Sequence, residues 1–260
     1  MSNLRQLPLQ VLLLTRRALI VNLRTPGVII PSLLISAFFL FVYNAQLGGV
    51  ASRFLPEGHT YLGFILPLSI VSAALGGSSI AGQNIVTDIT NGYFNKLALT
   101  PVNRLALLLG PMLANATIIS LQVAMMLFIG VLLGLRPASG PLGLILTLLF
   151  GTMLGVGFSG LTVGIALMTG SASATGGAGF LFFPLTFLTS TFVPMDQLSG
   201  WMRIAATINP ITYVLGAMRS LLNEGWNGMA FLTGVIAAAV LFICCFSFSL
   251  YGLRVRSNKI

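Results

Sequence analysis

Charged residues punctuate this chain at long intervals. Asp, Glu, Lys and Arg are missing from 25–52, 58–87, 105–135, 137–195 and 225–253. About 20 apolar residues suffice for one helix to cross a bilayer core. Four of these intervals each hold one such helix. The fourth in order, 137–195, holds two if Gly170-Ser171-Ala172-Ser173-Ala174-Thr175-Gly176-Gly177 forms the turn between them. The pattern predicts six spanning helices, at 28–47, 62–82, 107–133, 142–168, 178–193 and 229–251. Runs such as Leu144-Ile145-Leu146-Thr147-Leu148-Leu149-Phe150 lack the alternation that a membrane β-barrel strand requires. The expected fold is an all-α polytopic membrane protein, a single transmembrane domain over 1–260.

Ahead of the first span, Leu4, Leu7, Val11, Leu14, Ala18 and Val21 recur at three- and four-residue steps. Gln10, Arg17 and Arg24 repeat at every seventh position. This predicts an amphipathic helix within 1–25, apolar side in lipid and Arg toward phosphates, ended by Pro26-Gly27. The first span follows four Arg and exceeds the h-region of a signal peptide, so it reads as an anchor.

Composition agrees. Of 260 residues 56% are hydrophobic and only 7% charged, where soluble domains carry roughly a quarter. With the N-terminus in the cytoplasm, Arg5, Arg16, Arg17, Arg24, Lys96, Arg104, Arg254, Arg256 and Lys259 fall inside. Arg53, Arg136, Arg203 and Arg219 fall outside, as do Glu57, Asp196 and Glu224. Excess Lys and Arg mark the cytoplasmic side, so both termini are expected there, in the inner membrane of a prokaryote. The net charge of +9 then expresses orientation and attraction to anionic lipid. No basic run or aromatic-basic platform points to nucleic acid.

Catalysis finds little support. No Asp, Glu, Lys or Arg lies mid-span, as an ion-coupled porter would need. Ser36, Asn44, Ser69, Ser72, Asn115, Gln122, Ser159 and Thr186 read as helix–helix hydrogen-bonding groups. Gly157-Phe158-Ser159-Gly160 matches the G-x-S-G string of rhomboid-like proteases, yet His59, the sole His, sits in an external loop. One His, Cys244, Cys245 and four scattered carboxylates make no metal cluster. The two Lys, Lys96 and Lys259, each follow Asn, so no P-loop is present. Any ATP and Mg are expected in a separate subunit, with no cofactor on this chain.

The internal loop 88–104 carries Tyr93, Phe94, Leu97 and Leu99, too apolar for a spacer. It predicts a short helix ending before Thr100-Pro101 that offers an aromatic-aliphatic ridge and Lys96 to a partner groove. The plainer alternative is a loop anchored among headgroups. Between spans five and six, 196–228 holds Trp201, Met202, Ile204, Ile208, Ile211, Tyr213 and Leu215, broken by Pro210. That predicts short helices dipping back from outside as a cap, or a Trp/Tyr interface belt.

These two regions carry a resemblance to the ABC-2 type membrane-spanning subunits of ATP-binding-cassette exporters, including the daunorubicin-resistance permeases. Asp88, Gly92, Leu97, Thr100, Pro101, Val102 and Arg104 resemble the family's loop. Phe192, Pro194, Leu198 and Trp201 resemble its stretch after span five, and Asn209-Pro210 with Tyr213 and Arg219 its Asn-Pro signature. Val86, Thr87, Ile89 and Thr90 replace the Glu and Arg common before the Gly, and Ser199 replaces a frequent Pro. The resemblance implies two such subunits, as a homodimer or pseudo-dimer, paired with two separate ATPase subunits. It implies a coupling helix at Asp88–Leu99, with Asp88, Gly92, Tyr93, Phe94, Lys96, Leu97, Thr100, Pro101 and Arg104 as the coupling residues. Pro194, Trp201, Asn209, Pro210 and Tyr213 are the candidates for an external gate.

Aromatic surface suggests a pathway for hydrophobic or amphipathic small molecules or lipid, moved outward. Its candidates are Phe38, Phe39, Phe183, Phe187 and Phe192, with adaptable Met side chains nearby. The small faces Gly76-Gly77 and Gly151/Gly155 are the candidates for a dimer interface. The alternative function is a passive channel or structural membrane component with no ATPase.

Overall fold

The computed structural model describes residues 6–51, 60–189 and 195–258. Phe192, Pro194, Arg53, Glu57, His59 and Lys259 lie outside them. Most described residues are helical, and none of them is in a strand. Five helices are long and apolar enough to cross a membrane. They are α2 (Pro26–Ala51), α3 (Tyr61–Thr90), α5 (Arg104–Leu132), α6 (Gly140–Thr169) and α11 (Gly228–Ser257). The shorter helices are α1 (Leu7–Arg24), α4 (Tyr93–Ala98), α7 (Ala172–Phe180), α8 (Phe182–Phe187), α9 (Gly200–Ile208) and α10 (Pro210–Arg219).

The expected fifth span, 178–193, is interrupted within its described residues. The apolar stretch Ala172–Phe187 breaks at Leu181 into α7 and α8. Pro184 has no N–H for the carbonyl of Phe180, which removes the hydrogen bond that would carry the helix through. Helix also begins earlier than expected. Gly170, at φ 64°, ends α6, and Ser171 Oγ accepts the Ala174 N–H at 3.3 Å to start α7. Residues 172–177 are therefore helix rather than turn.

Pro26 likewise opens α2 instead of a loop, so that Thr25 alone joins it to α1. Helix α3 runs eight residues past its expected end, carrying Asn84 and Asp88 beyond the apolar stretch.

Helix α3 occupies the centre, packed on α2, α5, α6 and α7, while α11 lies across α6. Glycines set these crossings. A Cβ on Gly160 would stand 2.7 Å from Cys245 O, and one on Gly252 would meet Gly164 O at 2.7 Å. Of the intramembrane polar groups read as ties between helices, Asn115, Gln122 and Ser159 make such bonds, whereas Ser36 and Thr186 donate to the preceding turn of their own helices. Asn115 Nδ2 donates to Ser159 Oγ at 2.8 Å, Gln122 Nε2 to Ser32 Oγ at 2.9 Å, and Thr162 Oγ1 to Ser78 O at 2.9 Å. Ser159 thus serves as a packing hydroxyl, donating to Gly155 O. Among the described residues, no three His, Cys, Asp or Glu gather as a metal site.

Two expectations about faces are corrected here. On α1 the stripe Leu7-Val11-Leu14-Ala18 turns toward α5 rather than lipid: a Cβ on Gly110 would stand 2.5 Å from Leu14 Cβ, and Ala18 is buried. Leu9, Leu12, Leu13, Ile20 and Leu23 face outward instead. The small faces proposed for a dimer seam are spent within one chain. Gly151 closes on Ile70 and Val123, Gly155 on Ile119 and Ala74 O, Gly77 on Gln122 and Ile119, and Gly76 on Ser32. Small residues permit close approach but carry no address for the helix that approaches.

Candidate functional site

One end of the molecule gathers α1, the C-termini of α3, α6 and α11, and all of α4. Gly92, at φ 70°, makes the corner between α3 and α4, and its N–H donates to Ile89 O at 3.0 Å. Only Gly adopts that left-handed conformation without strain. Helix α4 then lasts six residues. Thr100 Oγ1 donates to Leu97 O at 2.6 Å, and Pro101 prevents continuation. Asn103 caps α5 by accepting the Leu105 N–H at 2.9 Å, while its own N–H donates to Gln10 of α1 at 3.0 Å.

Asp88 holds this corner to α1. Arg17 donates to both its carboxylate oxygens, at 2.9 and 2.7 Å, the one ion pair among the described residues. The same guanidinium lies 3.7 Å over the ring of Tyr93. The hydrogen bond to Asp88 keeps Arg17 above its ordinary pKa, against the opposing pull of partial burial. Asn84 Nδ2 donates to Asn22 Oδ1 at 2.7 Å, a second tie one turn away.

These ties fix which way α4 points. Phe94 turns inward, 4% exposed, into a cluster with Ile85, Leu107, Leu108, Met112 and Leu167. Leu97 packs against the same cluster. The expected outward ridge therefore loses Phe94 and most of Leu97. What α4 and its exit present is Asn95, Lys96, Leu99, Thr100, Pro101 and Arg104, with Leu99 80% exposed.

The opposite end is built around Asn209, which joins α9 to α10. Its Oδ1 accepts the Ile211 N–H at 3.0 Å, capping α10, and Pro210 takes the first helical position where no N–H is required. Its Nδ2 donates to Leu185 O at 2.6 Å and to Leu188 O at 2.9 Å, the carbonyls at the end of α8. Tyr213 OH donates to Thr207 O at 2.8 Å, closing the α9–α10 corner. Helix α10 buries Ile211, Val214, Leu215 and Met218 in the main core, while α9 exposes Trp201, Ile204 and Ile208 along one face. Arg219, read from sequence as an external charge, is buried: its Nε donates to Phe64 O at 3.1 Å, and its guanidinium lies 3.7 Å over the Phe64 ring.

Midway along α3 a cavity of about 450 Å³ opens between α2, α3, α7 and α8. Phe39, Phe183 and Phe187, candidates for the pathway, are among its lining residues. Phe38 is not one of them; it is 62% exposed on the outer side of α2. The lining also includes Phe180, Phe182 and Tyr43, and the hydroxyls of Ser69, Ser72 and Ser79. The spacing of Ser69, Ser72, Gly76 and Ser79 on one helical face was the sequence signal for that wall.

The fold is that of a multi-pass, all-helical membrane protein. The chain belongs to the ABC-2 type transporter family, whose model matches residues 9–223. It is similar to the daunorubicin resistance ABC transporter permease protein DrrB1 of Streptomyces coeruleorubidus, 26% identical over 80% of this chain and 72% of that protein. The probable doxorubicin resistance ABC transporter permease protein DrrC of Mycobacterium tuberculosis is 26% identical over 83% of this chain and 78% of its own length. A putative transport permease of Cyanophora paradoxa is 25% identical over 83% of this chain and 74% of its own.

Proposed function

We propose that this chain is the membrane-spanning subunit of an ATP-driven exporter. It docks a separate ATP-binding cassette subunit on α4 and moves a hydrophobic or amphipathic small molecule, or lipid, outward across the plasma membrane of a prokaryote. In this reading α7 and α8 together make the fifth of six spans, and both termini are cytoplasmic. Two copies assemble with two ATPase subunits, which bind ATP and Mg and perform the hydrolysis. The family and its drug-resistance relatives support the transport reading.

The observation that carries it is the anchoring of α4. A six-residue helix has too few internal hydrogen bonds to persist alone. Here Arg17–Asp88, the Tyr93 stack and buried Phe94 hold it rigidly at the base of α3 and α1. A push on Lys96 or Leu99 is thereby transmitted to the central helix, whose middle forms one wall of the aromatic cavity. An anchored apolar tip at the cationic end suits a docking element better than a spacer.

Co-purification tests the reading. Leu99→Asp and Lys96→Glu change only the exposed face, so each should abolish retention of the ATPase chain while the permease still extracts as a folded protein. Retention of the ATPase at wild-type level in both variants would overturn α4 as the docking element. Phe94→Asp is the wrong probe, because a carboxylate there would be buried in an apolar cluster.

A further inference from the structure

A second, smaller hollow lies where α4, the first turn of α5 and the last two turns of α11 meet. Its volume is about 160 Å³, well under the roughly 300 Å³ at which small-molecule sites begin. The floor is apolar, made by the buried side chains of Phe94, Leu107 and Leu253. Ala98 and Leu99 form one side. The polar side chains are Arg104 and Ser257, and among the described residues no acidic side chain lines the hollow.

Arg104 stands where a cation gains least. It opens α5, at the positive end of that helix, where the dipole favours an anion and opposes a guanidinium. The first turn of α5 holds no acidic residue to offset it. Asp88, the acid at this end among the described residues, is bound on both oxygens by Arg17. Exposed Lys96 and Arg254 make the same end still more positive. An anion seated beside Arg104 answers this excess, but the floor offers it nothing polar, so the rest of the guest must be apolar. Leu105 and Leu113, exposed further along α5, continue the apolar surface away from the hollow. A phosphate carrying acyl chains meets all of these conditions. A free phosphate meets only the charge.

We propose that this hollow binds an anionic phospholipid of the leaflet at that end, with Arg104 on its phosphate and the glycerol carbons on the apolar floor. Phosphatidylcholine is disfavoured, because its choline brings a further cation beside Arg104 and into a lining without an acid. The inference goes beyond the transport reading. Its test uses the permease alone, so its failure leaves the docking of an ATPase on α4 untouched, and the reverse also holds.

Native mass spectrometry reads this directly, with the full-length protein in detergent titrated with dioleoylphosphatidylglycerol or dioleoylphosphatidylcholine. The first lipid should bind about fivefold more tightly as phosphatidylglycerol, the worth of one basic residue beside an anionic headgroup. Arg104→Gln should remove most of that preference. Arg254→Gln takes the same charge from the same end but outside the hollow, and should keep it. Ala98→Leu fills the hollow without changing any charge, and should lose the preference. Equal affinity for the two lipids overturns the proposal. So does an equal loss in Arg104→Gln and Arg254→Gln, which is attraction by net charge alone. Excess inorganic phosphate should leave phosphatidylglycerol bound; displacement would assign the hollow to a free anion and overturn the lipid. Should Ala98→Leu fail to extract, the comparison of the two Arg variants decides, since both side chains are exposed.

Discussion

Asn209 shows how one side chain organises an entire end of the molecule. Its carbonyl caps α10, and its amide answers two carbonyls that the end of α8 leaves open. Non-helical backbone in a membrane protein persists only where such groups are satisfied. Asn209→Ala leaves Leu185 O, Leu188 O and the Ile211 N–H without these bonds. The expected cost is about 2 kcal/mol, combining a lost cap with unsatisfied buried carbonyls. It should appear as a lowered thermal midpoint of the detergent-solubilised protein. Asn209→Asp keeps the cap acceptor but turns a negative charge on the two carbonyls, so it should melt no higher than the Ala variant. A midpoint for Asn209→Asp equal to wild type would show that the amide bonds to α8 are dispensable. The motif Asn-Pro was visible in the sequence, but the partners of its amide were not, because they lie in a different helix. Phe94 teaches the same lesson. Its apolar character marked it as a contact residue, while the register of a six-residue helix, which decided that it points inward, depends on the Arg17–Asp88 pair.

At the scale of elements, hydrophobic length was the dependable signal. Intervals without charge located α2, α3, α5, α6 and α11, and α6 (Gly140–Thr169) falls within two residues of its expected ends. Helix continued where polar residues could bond across helices, as Asn84 does to Asn22, and length alone gave no warning of that. The segment that departs most, α7–α8, did carry a signal in Pro184. Sixteen residues of helix would reach only about 24 Å, short of the roughly 30 Å hydrocarbon core, even before the break at Leu181. Restoring the missing donor should mend it. In Pro184→Ala, amide hydrogen exchange across 178–188 should slow, because residue 184 regains an N–H for the carbonyl of Phe180. Unchanged exchange would mean that packing against α3, rather than the proline, imposes the break. The break matters because it divides the aromatic wall, placing Phe180 on α7 and Phe183 and Phe187 on α8.

Over the whole molecule the charges sort by end. Arg17, Arg24, Lys96, Arg104, Arg254 and Arg256 belong to the end that holds α1, α4 and the last turn of α11, while Arg136, Arg203 and Arg219 belong to the end that holds α9 and α10. Asp88, the acid at the first end among the described residues, is already paired with Arg17, leaving Lys96 and Arg104 exposed without it. A cationic end is the one retained on the cytoplasmic side during insertion, and it also attracts anionic headgroups. Burial divides the same axis: the first end closes around Phe94, and the second around α10 and Phe64. The aromatic cavity lies between the two, along the middle of α3. Helices α4 and α10 thus contact α3 on opposite sides of the cavity. That arrangement has a definite sidedness, which labelling can read. With Cys244→Ser and Cys245→Ser as background, Asn95→Cys should react with a membrane-impermeant maleimide only in inside-out vesicles. Thr207→Cys, exposed on α9, should react only in intact cells. Reaction of Asn95→Cys from the cell exterior would place α4 away from any cytoplasmic ATPase. In that case neither the anchored corner at Asp88 nor the exposed Leu99 could serve as the site through which hydrolysis drives the central helix.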